Sequence, residues 1–547
     1  MSILHNRQDR RILPRWRLSS KASHSSEYLS LKRTSQVVAN TEQALIYVAD
    51  EFDKQPTIGV AAELISSSML AGKVDKANAA VEFVLEREND VPHNLLRLAK
   101  SLSNTAQLAP SEHNLLFSIA QTRHLLRIYP RNPVLWSDMA RHYASIGNKQ
   151  RANKCMQAAL QLAPNHRWIL RTTARFLVHQ GDSIGAHKLL ALHPRTRHDP
   201  WLIAAELACA QVAGRAPKYW RQAADILRIN SVAPIHLSEL AIAVAMMELE
   251  SGERKKAKKG VNKGLIAPTE NTLAQVFWAK ENRHLRDGFK LDELVRSAKD
   301  AYEADYQLNI SNGELLLALE SAETWSEDEP FAARPKSEVA YVASILDDYE
   351  LAIKMTSEVE RLGEDQDATL TMNKTFAILS SGKLLRESHS SELDTLRDKL
   401  LAVVNDNNNS YHALANLGLW HYRYGDIDQG RGFYQRSMQV AQKLHSIEAS
   451  SLAATFFARE AILSGDAAAG SVLQAANELA KKSKHKASEF YLRKLDALML
   501  NPNMASDILT PKSAVKYMKV ESRLPEFRIE KTSTGDVLWV PSLKARK

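Results

Sequence analysis

Trp168, Arg171, Arg175 and His179 fall at i, i+3, i+7 and i+11, so a helix would carry them on one side as a polar and aromatic stripe. Guanidinium, indole and imidazole groups in a row can grip a ligand, but they bring no nucleophile of their own. A second group, ERKKAKKGVNK at 253–263, sets Arg254, Lys255, Lys256, Lys258, Lys259 and Lys263 around Ala257 and Val261. Its small residues would face inward and its cations outward, either as a solvated face or as a sequence-independent contact with phosphates. A third, RRILPRWR, places Ile12, Leu13 and Trp16 among Arg10, Arg11, Arg15 and Arg17. That mixture suits an acidic protein surface or nucleic acid.

The known catalytic signatures are missing. The nearest text to a phosphate loop, SGK at 381–383, lacks the first glycine and the closing Ser or Thr. No HExxH, CxxC, GxSxG or GxGxxG occurs. His193 and His198 flank Arg195 and Arg197, and two histidines without a third ligand read as a solvated loop, not a metal site. Asp426 and Asp428 sit where a turn is expected, a position Asp favours for its backbone geometry. The expectation is no enzyme, with no catalytic residue, no metal and no cofactor.

The elements that must position these groups are clearest between Pro133 and Pro164. Trp136, Met139, Ala140 and Tyr143 make one apolar helical stripe, and Ala152, Met156, Ala159 and Leu160 make another. Between them Gly147-Asn148 accepts the backbone of a helix end, and Pro164 follows where no helix continues. Two helices joined by so short a turn lie antiparallel. A pair of this kind leaves one apolar side wet and needs neighbours stacked on it. The unit resembles a tetratricopeptide repeat, with Trp136, Met139, Ala140, Tyr143, Gly147, Ala152, Met156, Ala159 and Pro164 at the signature positions of a 34-residue period.

A turn glycine followed five residues on by a small residue marks the copies: Gly72/Ala77, Gly147/Ala152, Gly181/Ala186, Gly252/Ala257, Gly425/Gly430 and Gly465/Gly470, with Asp347/Ala352 as a variant. In matching helical context these pairs indicate an array. The signatures blur at 92–130, 199–233 and 270–320, where periodicity alone extends the reading. The fold class expected is all-α, a tetratricopeptide-like helical-hairpin solenoid (a superhelix) over residues 36–505, with bends near 321–337 and 405–411. Residues 1–35 read as a flexible basic arm, carrying eight Lys or Arg against two acids. An organellar transit peptide is an alternative for them; a secretory signal is not, for want of an apolar core and a cleavage site. Residues 506–547 read as a basic tail in which FRIEK and VLWV around Ser-Thr-Gly-Asp make either a short β-hairpin or a frayed end.

Length and composition agree. A chain of 547 residues exceeds one ordinary core, and 44% apolar with 25% charged residues is ordinary for a globular protein. No run approaches the roughly 20 apolar residues that span a bilayer, so membrane insertion is not expected. Two cysteines, Cys155 and Cys209, cannot staple such a chain; they point to a reducing compartment, hence to the cytoplasm. The net charge of +9 sits largely at the two ends.

The resemblance adds a function, a non-catalytic scaffold or adaptor. In tetratricopeptide repeats the first-helix positions line a concave groove for a partner segment. Ser137, Arg141, Trp168, Arg171, Arg175, His179 and Trp201 occupy those positions by register. Their cations imply an acidic or C-terminal, carboxylate-bearing protein segment as partner. Two alternatives stand beside it. In one the stripe is a solvated face with Trp168 and Trp201 packed between repeats. In the other the chain is a nucleic-acid-associated subunit using Arg10, Arg11, Arg15, Trp16, Arg17, Arg254, Lys255, Lys258, Lys259 and the basic tail. Association into homo-oligomers through end helices is compatible with either.

Overall fold

The computed structural model describes residues 13–18, 41–70, 73–103, 110–229, 232–281, 289–298, 300–362, 368–381, 390–407, 409–424, 426–500, 527–531 and 537–541. Among them are 26 α-helices, mostly in antiparallel neighbouring pairs, and one two-stranded ladder. The fold is tetratricopeptide-like.

In the clearest unit, Asn132 caps helix Pro133–Ser145 by accepting from the Val134 amide at 3.0 Å, and Pro133 takes the first-turn position that needs no donor. Gly147, at φ 75°, makes the left-handed turn. Asn148 then caps helix Lys149–Leu162 through the Arg151 amide at 3.1 Å. Ala140, Ala152 and Ala159 are fully buried between the two axes, so any larger side chain would push the helices apart. The same left-handed turn recurs at Gly181, Gly252 and Gly465, and at Asp347 with φ 63°. Gly72 and Gly425 lie outside the described residues.

The chain forms two compact units, Met1–Val339 with Met355–Asp367, and Ala340–Lys354 with Ala368–Lys547. The first holds two apolar clusters, one around Met139, Met156, Trp168 and Phe176, the other around Leu202, Leu207, Ile242 and Leu273. The acidic stretch 321–337 within it contains the end of helix Leu315–Asp328, a turn through Glu329 and Pro330, and the start of helix Ala333–Ile345.

The second unit packs helices Tyr411–Tyr424, Ile427–Lys443, Ile447–Leu463, Ala469–Ser483 and Lys486–Leu500 in sequence. Its interior carries a polar network. Arg459, 1% exposed, donates to Glu460 Oε1 at 2.6 Å and to the Tyr349 hydroxyl at 2.8 Å. Arg423 grips Glu460 with two further N–H groups at 2.7 and 3.0 Å. Every member has a partner, the condition under which buried charge is tolerated. Near the chain end, Phe527–Lys531 pairs antiparallel with Val537–Pro541, with Phe527 opposite Pro541 and Lys531 opposite Val537.

Candidate segment-binding groove

Part of the arm expected to be flexible is instead held inside the first unit. Residues 13–18 have no regular secondary structure, yet Trp16 is fully buried and Leu13, Pro14 and Arg17 are buried beside it. Leu13 joins one apolar cluster of the unit and Trp16 the other. Hydrophobic burial of a large indole outweighs the entropy of an otherwise loose segment, which charge composition alone did not weigh.

The indole stands edge-on to Phe176, centroids 5.5 Å apart, and tilted on Phe331 at 4.9 Å. Its N–H donates to Ser137 Oγ at 3.3 Å. Two side chains hold the segment's backbone: Asn271 donates to the Leu13 carbonyl at 2.8 Å and Arg141 Nε to the Trp16 carbonyl at 3.0 Å. Arg141 also donates to the Asp328 carbonyl.

The flanking arginines meet acids. Arg15 pairs with Glu303 and, at 2.8 Å, with Glu329. Arg17 Nε donates to Asp328 Oδ2 at 2.8 Å, while its other nitrogens face Glu270 and Asp300. Arg334 neutralises the second oxygen of Glu303 at 2.8 Å. Burial alone would push the Glu329 carboxyl up, but the charges of Arg15 and Arg175, with the Arg15 hydrogen bond, hold it down at about 2. Glu303 is lowered in the same way, its burial outweighed by Arg334 and Arg15.

The residues expected in the groove divide into two sets. Ser137 and Arg141 touch the arm directly, while Arg175 and His179 surround Phe331, the guanidinium carbon 5.4 Å from the ring centroid and the imidazole 5.3 Å. Trp168, Arg171 and Trp201 are all 1% exposed, and the latter two are hydrogen-bonded within the unit. Arg171 donates to the Trp201 carbonyl and to Glu239 Oε2, both at 2.8 Å, and the Trp201 indole donates to His236 at 3.1 Å. Of the expected stripe, Trp168 and Arg171 are thus core, while Arg175 and His179 line the space beside the arm. The slot's wall beside the arm is acidic, whereas the resemblance implied a wall for acidic partners.

Of the cationic candidates, Arg10 and Arg11 lie outside the described residues, and Arg15, Trp16 and Arg17 are engaged in the slot. Arg254, Lys255, Lys258 and Lys259 stand exposed on helix Arg254–Gly264, with Ala257 and Val261 turned inward. The sequence reading missed Asn271, Glu303, Asp328, Glu329 and Phe331. A usable signal was the acidic run Glu327-Asp328-Glu329, opposite in sign to the arm. Among the described residues no helix is long and apolar enough to cross a membrane, and no group of three or more His, Cys, Asp or Glu could hold a metal ion. Cys155 and Cys209 are buried free thiols, the first pushed up to about 11 and the second to about 12, chiefly by burial.

No family model matches the sequence, and no curated protein does. Among solved structures, similar ones include the "APC/C hetero-tetramer Cut9-Hcn1", at 13% identity over 90% of this chain and 97% of that one, with a TM-score of 0.34. The "Human IFIT1 dimer with PPP-AAAA" matches at 11% identity over 75% and 96%, with a TM-score of 0.29. "Yeast Tom70" matches at 12% identity over 87% and 99%, with a TM-score of 0.26.

Proposed function

We propose that this protein is a non-catalytic scaffold whose first unit holds a basic, tryptophan-anchored protein segment. The observation that carries the reading is the seating of Leu13–Leu18 with Trp16 wholly buried and both flanking arginines on carboxylates. A slot that buries an indole, clamps two backbone carbonyls and sets acids on either side has the parts of a segment-binding site: an anchor pocket, main-chain recognition and charge complementarity. The chain's own arm fills the slot, so a partner presenting a similar segment would compete with it. The two reduced, buried thiols suit a cytoplasmic setting.

The test is titration of arm-deleted protein, lacking residues 1–20, with a synthetic peptide of residues 10–20, followed by fluorescence anisotropy. Binding is expected, and W16A in the peptide should weaken it about 30-fold or more, the effect of losing a hot spot of at least 2 kcal/mol. Folded, arm-deleted protein that ignores the peptide would sink the reading.

A second reading rests on the exposed cations of Arg254, Lys255, Lys258 and Lys259. These would serve nucleic acid through its phosphates, with affinity falling steeply as salt rises. It is the weaker of the two, because Arg15 and Arg17 already have acidic partners.

A further inference from the structure

Beside the arm lies a cavity of about 350 Å³, bounded by Leu13, Pro14 and Arg15 on one side and by Arg175, Trp278 and Trp325 among others. That volume is at the lower end of small-molecule sites, roughly 300–1,000 Å³, and too small for a folded partner. The arginines around the arm are otherwise committed. Arg15, Arg17 and Arg334 are paired with carboxylates, and Arg141 donates to two carbonyls. Arg175 differs. Its guanidinium donates no hydrogen bond to any described residue and rests on the face of Phe331. The carboxylate whose charge it feels, Glu329, is bonded by Arg15 at 2.8 Å.

The same wall holds two more groups left over. The Trp325 indole N–H and the Gln180 amide nitrogen are buried without an acceptor among the described residues. Both are donors, as is Arg175, and the lining sets the cations Arg15, Lys149, Arg175 and Arg334 against the two carboxylates Glu303 and Glu329, which leaves it net positive. A wall with donors to spare is the complement of a ligand rich in acceptors. We infer that this cavity binds a small molecule bearing a phosphate or carboxylate group, which Arg175 grips and the Trp325 and Gln180 N–H groups help to hold. The arm forms one side of the cavity, so the inference rests on its being seated, but not on its exchange for a partner's segment, since Arg175 donates nothing to the arm.

Isothermal titration calorimetry on the full chain tests it, with pyrophosphate, inorganic phosphate and citrate as probes at 150 mM NaCl. At least one probe should bind saturably at one site per chain. R175Q should weaken it tenfold or more, and W325F, which keeps an aromatic ring and removes the N–H donor, severalfold, each in a variant shown by circular dichroism to be folded at the temperature of the titration. The double variant K258A/K259A should bind as the parent does. Preference for pyrophosphate over citrate assigns phosphate chemistry to the site, and the reverse assigns carboxylate. Absence of saturable binding by all three probes overturns the inference, as does binding that survives R175Q or disappears in K258A/K259A.

Discussion

Trp16 and Phe331 meet at 4.9 Å between ring centroids, although neither is placed by a local apolar pattern. One sits in an irregular segment near the start of the chain; the other follows Pro330 in the turn between two helices. The contact is made entirely by tertiary structure. Around Phe331 the cations of Arg141 and Arg175 and the imidazole of His179 complete a cage of polar groups over one ring, an arrangement favoured by the ring's quadrupole.

Removing the indole should therefore free the arm. W16A strips the Ser137 hydroxyl of its donor and opens space against Phe176 and Phe331. Buried Trp-to-Ala changes cost about 3–5 kcal/mol where the site cannot relax; here the arm can leave, so a loss of roughly 2–4 kcal/mol in urea unfolding is expected. Trypsin should also cut after Arg15 or Arg17 much faster in W16A than in the parent. Equal cutting rates would show that the indole does not hold the segment.

Acid should loosen the same contact in a defined window. Glu329 is held at about 2 and Glu303 is lowered, both below the ordinary value of 4.5. A depressed carboxylate stabilises fully above its unfolded pKa, and that contribution fades as pH falls from about 4.5 toward 2. His142, His412 and His485, each held at about 3 by burial, start to cost stability already below about 6.5. The comparison that isolates the arm is the parent against E329Q. The parent's stability advantage should be constant from pH 7 to 5 and shrink from pH 4.5 downward; a gap unchanged at pH 3 would place the arm's lock elsewhere.

In the second unit two glycines should respond oppositely to alanine. A Cβ at Gly418 would stand 2.6 Å from Tyr434 Cδ2, and Tyr434 is itself stacked on Phe457 at 5.3 Å. G418A should destabilise by about 1–3 kcal/mol through overpacking. At Gly432, exposed in helix Ile427–Lys443, a Cβ meets nothing within 4 Å. G432A should then be neutral or stabilising by up to about 1 kcal/mol, the helix propensity difference. Chemical denaturation of both variants checks the pair, and a harmless G418A would contradict the packing described.

The helical hairpins were legible because their rules are local. A stripe at helical spacing and a glycine that tolerates positive φ are readable within a dozen residues, and Gly147, Gly181, Gly252 and Gly465 all adopt that conformation. The marker misled by one position at the last of them, where exposed Gly470 is not the close-packed residue and Ala469 is buried instead. Gly214 and Gly313 make left-handed turns too and were passed over, their neighbouring signatures being blurred. The candidate site was half legible. Register brought Ser137, Arg141, Arg175 and His179 to one place, but could not tell a groove arginine from Arg171, whose acceptor Glu239 lies 68 positions away. The slot's acidic wall escaped for the same reason: Glu303, Asp328 and Glu329 gain meaning only opposite Arg15 and Arg17.

The distance along the chain between Arg15 and Glu329, 314 positions, sets an order of events during synthesis. Domains form as the chain emerges, at roughly 5–20 residues per second, so the arm is made roughly 15–60 s before the wall that receives it. Through that interval Arg15, Trp16 and Arg17 lack the wall that seats them, and a chain arrested before Glu329 would carry its arm unhoused.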